Sequence, residues 1–258
     1  MGEDLEARLK LTPGEWHQRY LIQARWTSEI RHYLFDRLNI NKTSRILEIG
    51  CGTGAILSDV VPYSEAPLFG IDIQLSSLCF ARQNLPSANF ICSDAFKLPF
   101  PIGSFDFVFC HFFLLWVNNP LAVLVEMRRI SKPNGCVIAL AEPDYGSRID
   151  YPNSLSRLGH MQTESLQNQG ADPFLGRKLA ALFVSAGLQE IHTGLLGGHW
   201  DGPPTADDWN SEWLLLEHDL ENYCSNEGLL QLRYLDAAAW KRGERILFIP
   251  TFYAWGSL

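Results

Sequence analysis

The residues with the clearest potential for chemistry lie between positions 45 and 54, where the sequence reads RILEIGCGTG. Glu48 is set inside a short apolar run, and Gly50, Gly52 and Gly54 follow it at alternate positions. A glycine-rich turn between a strand and a helix lets a ligand approach the backbone and the helix N-terminus. The stretch therefore predicts a ligand site built largely from backbone, with one carboxylate beside it.

This turn is compatible with two classes of nucleotide ligand. Residues 50–55 fit G-x-G-x-x-A, the dinucleotide fingerprint, and Asp72 follows Gly54 by 18 residues. That is about where a ribose-binding acid belongs in a dinucleotide site. On this fragment alone an NAD-dependent oxidoreductase stays open.

Three features favour a nucleoside with a cationic tail over a dinucleotide. Glu48 would repel a pyrophosphate, whereas it would attract the ammonium group of an amino-acid tail. The stretch after Gly54 reads AILSDVV and offers no basic anchor for a phosphate. Asp94 follows a later apolar run, where it can accept a hydrogen bond from an adenine amino group. These features together predict a nucleoside with a zwitterionic tail.

The elements that must position these residues alternate along the chain. Strands are predicted at 45–49, 68–73, 88–92, 105–110 and 135–141, with helices near 54–61, 75–84 and 120–131. Such alternation predicts a doubly wound sheet of parallel strands with right-handed crossovers and helices on both faces.

Further elements flank this alternating region. Thr12 and Glu15 form a capping-box pattern that predicts one helix running to about Leu38. Beyond residue 142, helices are predicted near 153–169, 176–186 and 206–240, with strands near 188–196 and within 246–255. We therefore expect one domain over 1–258, comprising an N-terminal helical lid (1–40), a cofactor-binding core (41–142) and substrate-side helices with the last two strands (143–258).

Charge and composition limit the classes of partner. Among 258 residues, 29 are acidic and 21 are lysine or arginine, giving a net charge of −8 without a basic stripe, so nucleic acid is not an expected partner. The six cysteines form no Cys-x-x-Cys pair and no acidic set has metal-ligand order, so no metal is predicted. Without a signal peptide or a long apolar span, we expect a cytoplasmic protein that does not cross a membrane. The oligomeric state is not predicted.

The complete set of motifs resembles the class I S-adenosylmethionine-dependent methyltransferases, of the small-molecule type similar to the ubiquinone/menaquinone group. The likeness rests on EIGCGTG, GIDIQ, CSDAFKLPFPIGSFDFVFC and RISKPNGCVIALAEPD, which keep the family's order over about residues 45–142. It implies a Rossmann-like, mostly parallel seven-stranded sheet with an antiparallel last strand. It also implies an enzyme that transfers the methyl group of S-adenosylmethionine to a small acceptor.

The resemblance also assigns roles around the cofactor. Glu48 would fix the turn and the methionine end, Asp72 would bind the ribose hydroxyls, and Asp94 would read the adenine edge. His111 would lie near the sulfonium. Separately from the resemblance, Arg25 on the first helix is a candidate partner of the cofactor carboxylate, with a solvent-exposed arginine as the alternative interpretation. The full set of predicted cofactor residues is Arg25, Glu48, Gly50, Cys51, Gly52, Gly54, Asp72, Ile73, Asp94, Ala95 and His111.

The acceptor side is predicted from aromatic residues near the expected rim of the sheet. The predicted substrate-binding residues are Trp16, Tyr20, Trp26, Tyr145 and Trp200. An aromatic-lined pocket suits an aromatic or hydrophobic small molecule. The run CHFFLLW at 110–116 lacks the proline pair of family members that methylate adenine or glutamine amides, which speaks against those acceptors.

Catalytic candidates are few. A general base is needed only when the acceptor is a hydroxyl or a protonated amine. His111 and His199 are the predicted catalytic residues, with His160 as a further candidate base and Tyr145 as an orienting group. Because no base is evident, a cofactor-binding protein of this fold without methyl transfer stays an alternative.

Overall fold

A computed structural model of the chain describes residues 11–195 and 202–258. It begins with two helices, α1 (Pro13–Trp26) and α2 (Ser28–Arg37). The capping box is confirmed, since Oγ1 of Thr12 accepts from the Glu15 amide and the Glu15 carboxylate accepts from the Thr12 amide at 2.7 Å. The prediction of one continuous helix is wrong. The chain leaves helical geometry at Thr27, with φ −112° and ψ 8°, and α2 starts afresh after it.

The core elements follow in the predicted alternating order. They are β1 (Ile46–Ile49), α3 (Ala55–Val60), β2 (Leu68–Asp72), α4 (Leu75–Asn84), β3 (Ala88–Cys92), β4 (Phe105–Cys110), α5 (Pro120–Ile130) and β5 (Ser131–Pro143). The remaining elements are β6 (Ile149–Tyr151), α6 (Ser156–Asn168), α7 (Leu179–Ser185), β7 (Gln189–Leu195), α8 (Ala206–Leu220), α9 (Asn226–Lys241), β8 (Ile246–Phe248) and β9 (Thr251–Ser257).

Seven strands form one sheet in the order β3-β2-β1-β4-β5-β9-β7. The pairs among β1 to β5 are parallel, and β9 is antiparallel to both of its neighbours. The predicted Rossmann-like sheet with an antiparallel last strand is confirmed. Since parallel strands end at the same edge, the residues that follow β1, β2, β4 and β5 are brought together there.

Helices cover the sheet on both faces, as the apolar strands require. One buried cluster joins Leu47 and Ile49 of β1 to α5 and α7, and a second joins Ile46 to α2, α3 and α4. Side chains alternate between the two faces along a strand. Glu48 therefore shares its face with Ile46 and points toward the α2 side of the sheet.

The chain after β5 builds a third buried cluster from α6, α8 and α9. The predicted single helix over 206–240 is wrong, because residues 221–225 separate α8 from α9 and Ser225 caps the second helix. Buried Asp236 accepts hydrogen bonds from Trp209, Trp213 and Arg245, which ties both helices together. A two-stranded sheet of β6 and β8 was not predicted. The division into a lid, a core and a substrate side stays a prediction.

Candidate active site

The turn after β1 has the backbone that its glycines predict. Gly50, Gly52 and Gly54 have φ values of +69°, +49° and +79°, in the left-handed region that disfavours other residues. A Cβ on Gly50 would lie 2.2 Å from the ring of Phe113, and one on Gly54 would lie 3.2 Å from the ring of Phe90. Backbone conformation therefore favours glycine at all three positions, and at Gly50 the lack of space requires it as well.

Asp72 at the end of β2 is tied directly to this turn. One carboxylate oxygen accepts from the Gly52 amide at 2.8 Å, and the other accepts from the Gln74 amide at 2.9 Å. Burial raises the pKa of Asp72, and these amides oppose the rise. A carboxylate oxygen can accept more than one hydrogen bond, so Asp72 keeps capacity for a ligand hydroxyl. The next residue, Ile73, exposes more than half of its side chain at the same edge.

Glu48 is the most unusual acid of the site. It is 2% exposed, and its Oε2 atom has no hydrogen-bond partner among the described residues. Burial raises its pKa well above the usual value, and the positive charge of Arg31 is the main opposing influence. In the part of the chain that the structure describes, Nε of Arg31 is likewise without a partner. A buried acceptor and a buried donor therefore lie within electrostatic range of each other, both with unused hydrogen-bonding capacity.

Arg31 was missed by the sequence analysis. Its Nη1 donates to the Ala24 carbonyl at 2.6 Å and to Oγ1 of Thr27 at 2.5 Å, and its Nη2 pairs with Asp59. These contacts fix the guanidinium at the break between α1 and α2. The available signal was helical spacing, because Arg31 follows Tyr20 by 11 residues, about three turns, and so lies near its face. An apolar stripe does not select a charged side chain.

His111 follows β4 and points to the same break. Its Nε2 lies 2.8 Å from Oγ1 of Thr27. Burial, with a contribution from the charge of Arg31, lowers the pKa of His111 to about 3. The imidazole is therefore neutral at physiological pH and holds a proton weakly. This environment opposes the predicted role of His111 as a general base, and favours a hydrogen-bonding role.

Helix α1 lies across the glycine turn, as a lid would. Nδ1 of His17 is 3.0 Å from Oγ1 of Thr53. A Cβ on Gly52 would lie 3.4 Å from the Tyr20 ring, and Trp16 stacks on Tyr20 with 5.6 Å between ring centroids. Two of the predicted acceptor-side aromatic residues are thus placed beside the turn.

Other predicted residues are not brought to the turn. Arg25 is exposed and forms an ion pair with Asp208 of α8, and Trp26 is 56% exposed. Both are turned by more than about 100° from Tyr20 around the axis of α1. His160 is exposed on α6. His199 and Trp200 lie outside the described residues.

The predicted adenine side lies at the end of β3. The Asp94 side chain is exposed and accepts from the Phe96 amide at 2.9 Å, while Ala95 is buried. The Cys51 amide donates to the Ile71 carbonyl at 2.9 Å, which joins the turn to β2. Burial raises the pKa of the Cys51 thiol well above its usual value, so this cysteine stays protonated. Its contribution to the turn is structural.

Glu142 at the end of β5 organises the loop that carries His111. Its two carboxylate oxygens accept from the amides of Phe113, Leu114 and Leu115 at 3.1, 2.8 and 3.2 Å. Burial raises its pKa to about 7. The sequence placed Glu142 at the sheet edge but gave no signal for this contact, since its partners are backbone amides about 28 residues away.

Tyr145 follows β5, and its surroundings include Arg19 of α1, which the sequence analysis also missed. Burial raises the pKa of Tyr145, and the charge of Glu212 raises it further. Arg19 donates to the Ser211 carbonyl at 2.7 Å and pairs with Glu212 at 3.2 Å. The available signal was its helical spacing, because Arg19 lies one turn after Trp16 on α1.

Within 11–195 and 202–258, no group of three histidine, cysteine or acidic side chains is arranged to hold a metal ion. None of the helices in these ranges combines the length and apolar character needed to cross a membrane.

Comparison with known proteins now identifies the family. The profile described as a methyltransferase domain matches residues 47–139. An uncharacterized methyltransferase of Schizosaccharomyces pombe is 31% identical over 228 residues, covering 79% of each chain. Demethylmenaquinone methyltransferase of Renibacterium salmoninarum is 32% identical over 161 residues, covering 60% of this chain and 67% of the relative.

A solved structure supports the fold. Phosphoethanolamine N-methyltransferase 2 of Haemonchus contortus, in complex with S-adenosyl-L-methionine, aligns with a TM-score of 0.58 at 14% identity, covering 89% of this chain and 52% of that one. Together these comparisons do not favour the alternative of an NAD-dependent oxidoreductase. The chain belongs to the class I S-adenosylmethionine-dependent methyltransferases, and it is similar to their menaquinone group.

Proposed function

We propose that the chain methylates a small, largely apolar acceptor at the edge where β1, β2, β4 and β5 end. The observation that carries this proposal is the pair formed by Oε2 of Glu48 and Nε of Arg31, both buried and without partners among the described residues. The ammonium and carboxylate of a methionine tail complement such a pair. When bound, S-adenosylmethionine supplies a methyl group on a positively charged sulfur.

The residues around the turn fit the rest of this cofactor. Asp72 is fixed by two amides and can still accept from ribose hydroxyls. The exposed side chain of Ile73 offers an apolar surface for adenine, and Asp94 with the Ala95 amide offers an acceptor and a donor for its edge. Arg31 replaces Arg25 in our assignment of the carboxylate partner, because Arg25 is engaged by Asp208.

We assign the acceptor to the side of the glycine turn where Trp16, Tyr20 and Tyr145 lie, and we call this region the acceptor chamber. Stacked aromatic rings favour an apolar body. A demethylmenaquinone methyltransferase is among the relatives, which is consistent with a largely apolar acceptor. Tyr145 keeps its proton because burial raises its pKa, so it acts as a hydrogen-bond donor. His111, neutral and held by Thr27, orients the site and does not store a proton.

Calorimetry tests the cofactor assignment. Titration with S-adenosylmethionine, S-adenosylhomocysteine and NAD should give saturable binding of the two sulfur compounds only. Asp72→Asn should weaken that binding by about tenfold or more, since it removes a charge that accepts hydrogen bonds. Asp207→Asn, at an exposed position on α8, is the matched control and should leave binding unchanged. Tight NAD binding with neither sulfur compound bound would reverse the assignment.

Methyl transfer itself is tested with a labelled donor. Incubation with fractionated metabolite extracts should place the label in the apolar, low-molecular-mass fraction. Label confined to polar metabolites, protein or nucleic acid would refute the acceptor class. Cofactor binding without any labelled product would favour the alternative of a binding protein of this fold.

A further inference from the structure

We infer that the acceptor presents a neutral, carbonyl-type oxygen to two buried N–H donors on α1, Nε1 of Trp16 and Nε of Arg19. Ketones, quinones, esters and amides belong to this class. The inference rests on the proposed methyl transfer and adds the chemical group that the acceptor chamber recognises.

The two donors are buried with unused capacity. Trp16 is 3% exposed and Arg19 is 7% exposed. Across the described residues, neither Nε1 of Trp16 nor Nε of Arg19 has a hydrogen-bond partner. A buried donor left without an acceptor costs about 1–3 kcal/mol. Two such donors three residues apart on one helix face indicate that the partner comes from a ligand.

Their position places this ligand beside the cofactor turn. Trp16 stacks on Tyr20, which lies against the face of Gly52. On the other side, the charges of Arg19 and Glu212 both act on Tyr145, so that tyrosine lies within electrostatic range of the pair. The donors therefore lie on the helix that crosses the glycine turn, next to the aromatic ring that covers Gly52.

The local charge selects a neutral oxygen. The Arg19 guanidinium already pairs with Glu212 at 3.2 Å, so its charge is balanced within the protein. Asp219 of α8 also acts on Tyr145 and adds negative charge nearby, whereas the positive charge of Arg148 is balanced by its ion pair with Asp150 at 2.6 Å. A carboxylate or phosphate on the acceptor would be repelled by these acids. A neutral carbonyl accepts the two N–H groups without that repulsion.

Three probes of similar shape test this inference. Acetophenone carries a neutral carbonyl, benzoate carries an anion, and ethylbenzene carries no oxygen. Their binding is measured by ligand-observed NMR in the presence of saturating S-adenosylhomocysteine. Acetophenone should bind more tightly than either of the other probes, by roughly 3- to 10-fold, the worth of one or two hydrogen bonds.

Two variants remove the donors while keeping shape and charge. Trp16→Phe keeps an aromatic ring, and Arg19→Lys keeps the cation that pairs with Glu212. Each should abolish much of the preference for acetophenone over ethylbenzene and leave the affinity for S-adenosylhomocysteine unchanged. Trp26→Phe, at an exposed tryptophan of the same helix, is the matched control and should keep the preference. Thermal unfolding of every variant checks that the fold is retained.

The possible results separate this inference from the proposed function. If the wild-type protein binds no S-adenosylhomocysteine, the proposed function fails. If it binds that compound but shows no preference for acetophenone, or prefers benzoate, the inference is wrong while the cofactor site stands. If Trp16→Phe and Arg19→Lys weaken the sulfur compound instead, the donors serve the cofactor carboxylate and the inference is also wrong.

Discussion

Replacing Glu48 by glutamine should stabilise the protein at high pH and weaken its cofactor binding. Burial raises the pKa of this acid in the folded state, so between its unfolded and folded pKa values the folded chain binds more protons than the unfolded chain. Its contribution to stability is therefore complete below about pH 4.5 and is lost as the pH rises toward the folded pKa. Because glutamine does not ionise, Glu48→Gln does not lose stability in this way as the pH rises.

The size of the effect follows from linkage. One titrating group changes the free energy of unfolding by at most about 1.4 kcal/mol per pH unit. Other buried acids such as Glu142 and Asp219 also have raised pKa values, but they are common to both proteins. The difference between Glu48→Gln and the wild type isolates the Glu48 carboxyl, and it should grow with pH above about pH 4.5 until the folded pKa of Glu48 is passed.

Urea unfolding across this pH range measures the difference, with Glu65→Gln as an exposed control that should show no trend. Calorimetry in buffers of different ionisation enthalpy then measures protons released on binding S-adenosylmethionine. The wild type should release up to one proton below the folded pKa of Glu48, because the incoming ammonium favours the carboxylate. Glu48→Gln should release none and bind about 10- to 100-fold more weakly.

Two results would refute the reasoning. A stability difference that is flat with pH would mean that Glu48 ionises normally and that the site is not desolvated. A clear pH trend without proton release would mean that the buried carboxyl does not face the ammonium of the cofactor.

Three further predictions rest on single contacts. In the Gly103→Ala control, where φ is positive and no atom lies within 4 Å, the free energy of unfolding should fall by about 1–2 kcal/mol. Gly50→Ala should lower it by more, because its added Cβ would also collide with the ring of Phe113. Thermal unfolding compares the two variants. Glu142→Gln should lower that free energy by about 1–3 kcal/mol in urea unfolding, because glutamine keeps one acceptor oxygen and turns an NH2 group toward a buried backbone amide. Arg31→Lys should weaken binding of S-adenosylhomocysteine by about tenfold or more in calorimetry, whereas Arg25→Ala should change it less than threefold, since its exposed ion pair is worth little.

The fold was largely predictable because the signals are local. Alternating apolar runs, Thr12 and Glu15 at a helix start, and glycines at a turn each act over a few residues. The errors lie where a helix is interrupted without proline or glycine. Thr27 and the segment 221–225 break helices through tertiary packing, which leaves little mark on a hydrophobic pattern.

The site was predictable where backbone geometry dictates it and unpredictable where distant elements meet. The positions of Gly50, Gly52 and Asp72 were predictable, because the glycine pattern after β1 indicates the turn directly. Arg31 acquires its role from Glu48 on β1, an element that the helical pattern around Arg31 does not indicate. Arg19 pairs with Glu212 of α8, nearly two hundred positions later, and the residues around Arg19 give no signal for this contact.

Helix α1 contacts the glycine turn through His17, and it also carries Arg19, one of the two donors that we assign to the acceptor. One helix thus contacts both the cofactor site and the proposed acceptor site, so we expect ordered binding in which the cofactor binds before the acceptor.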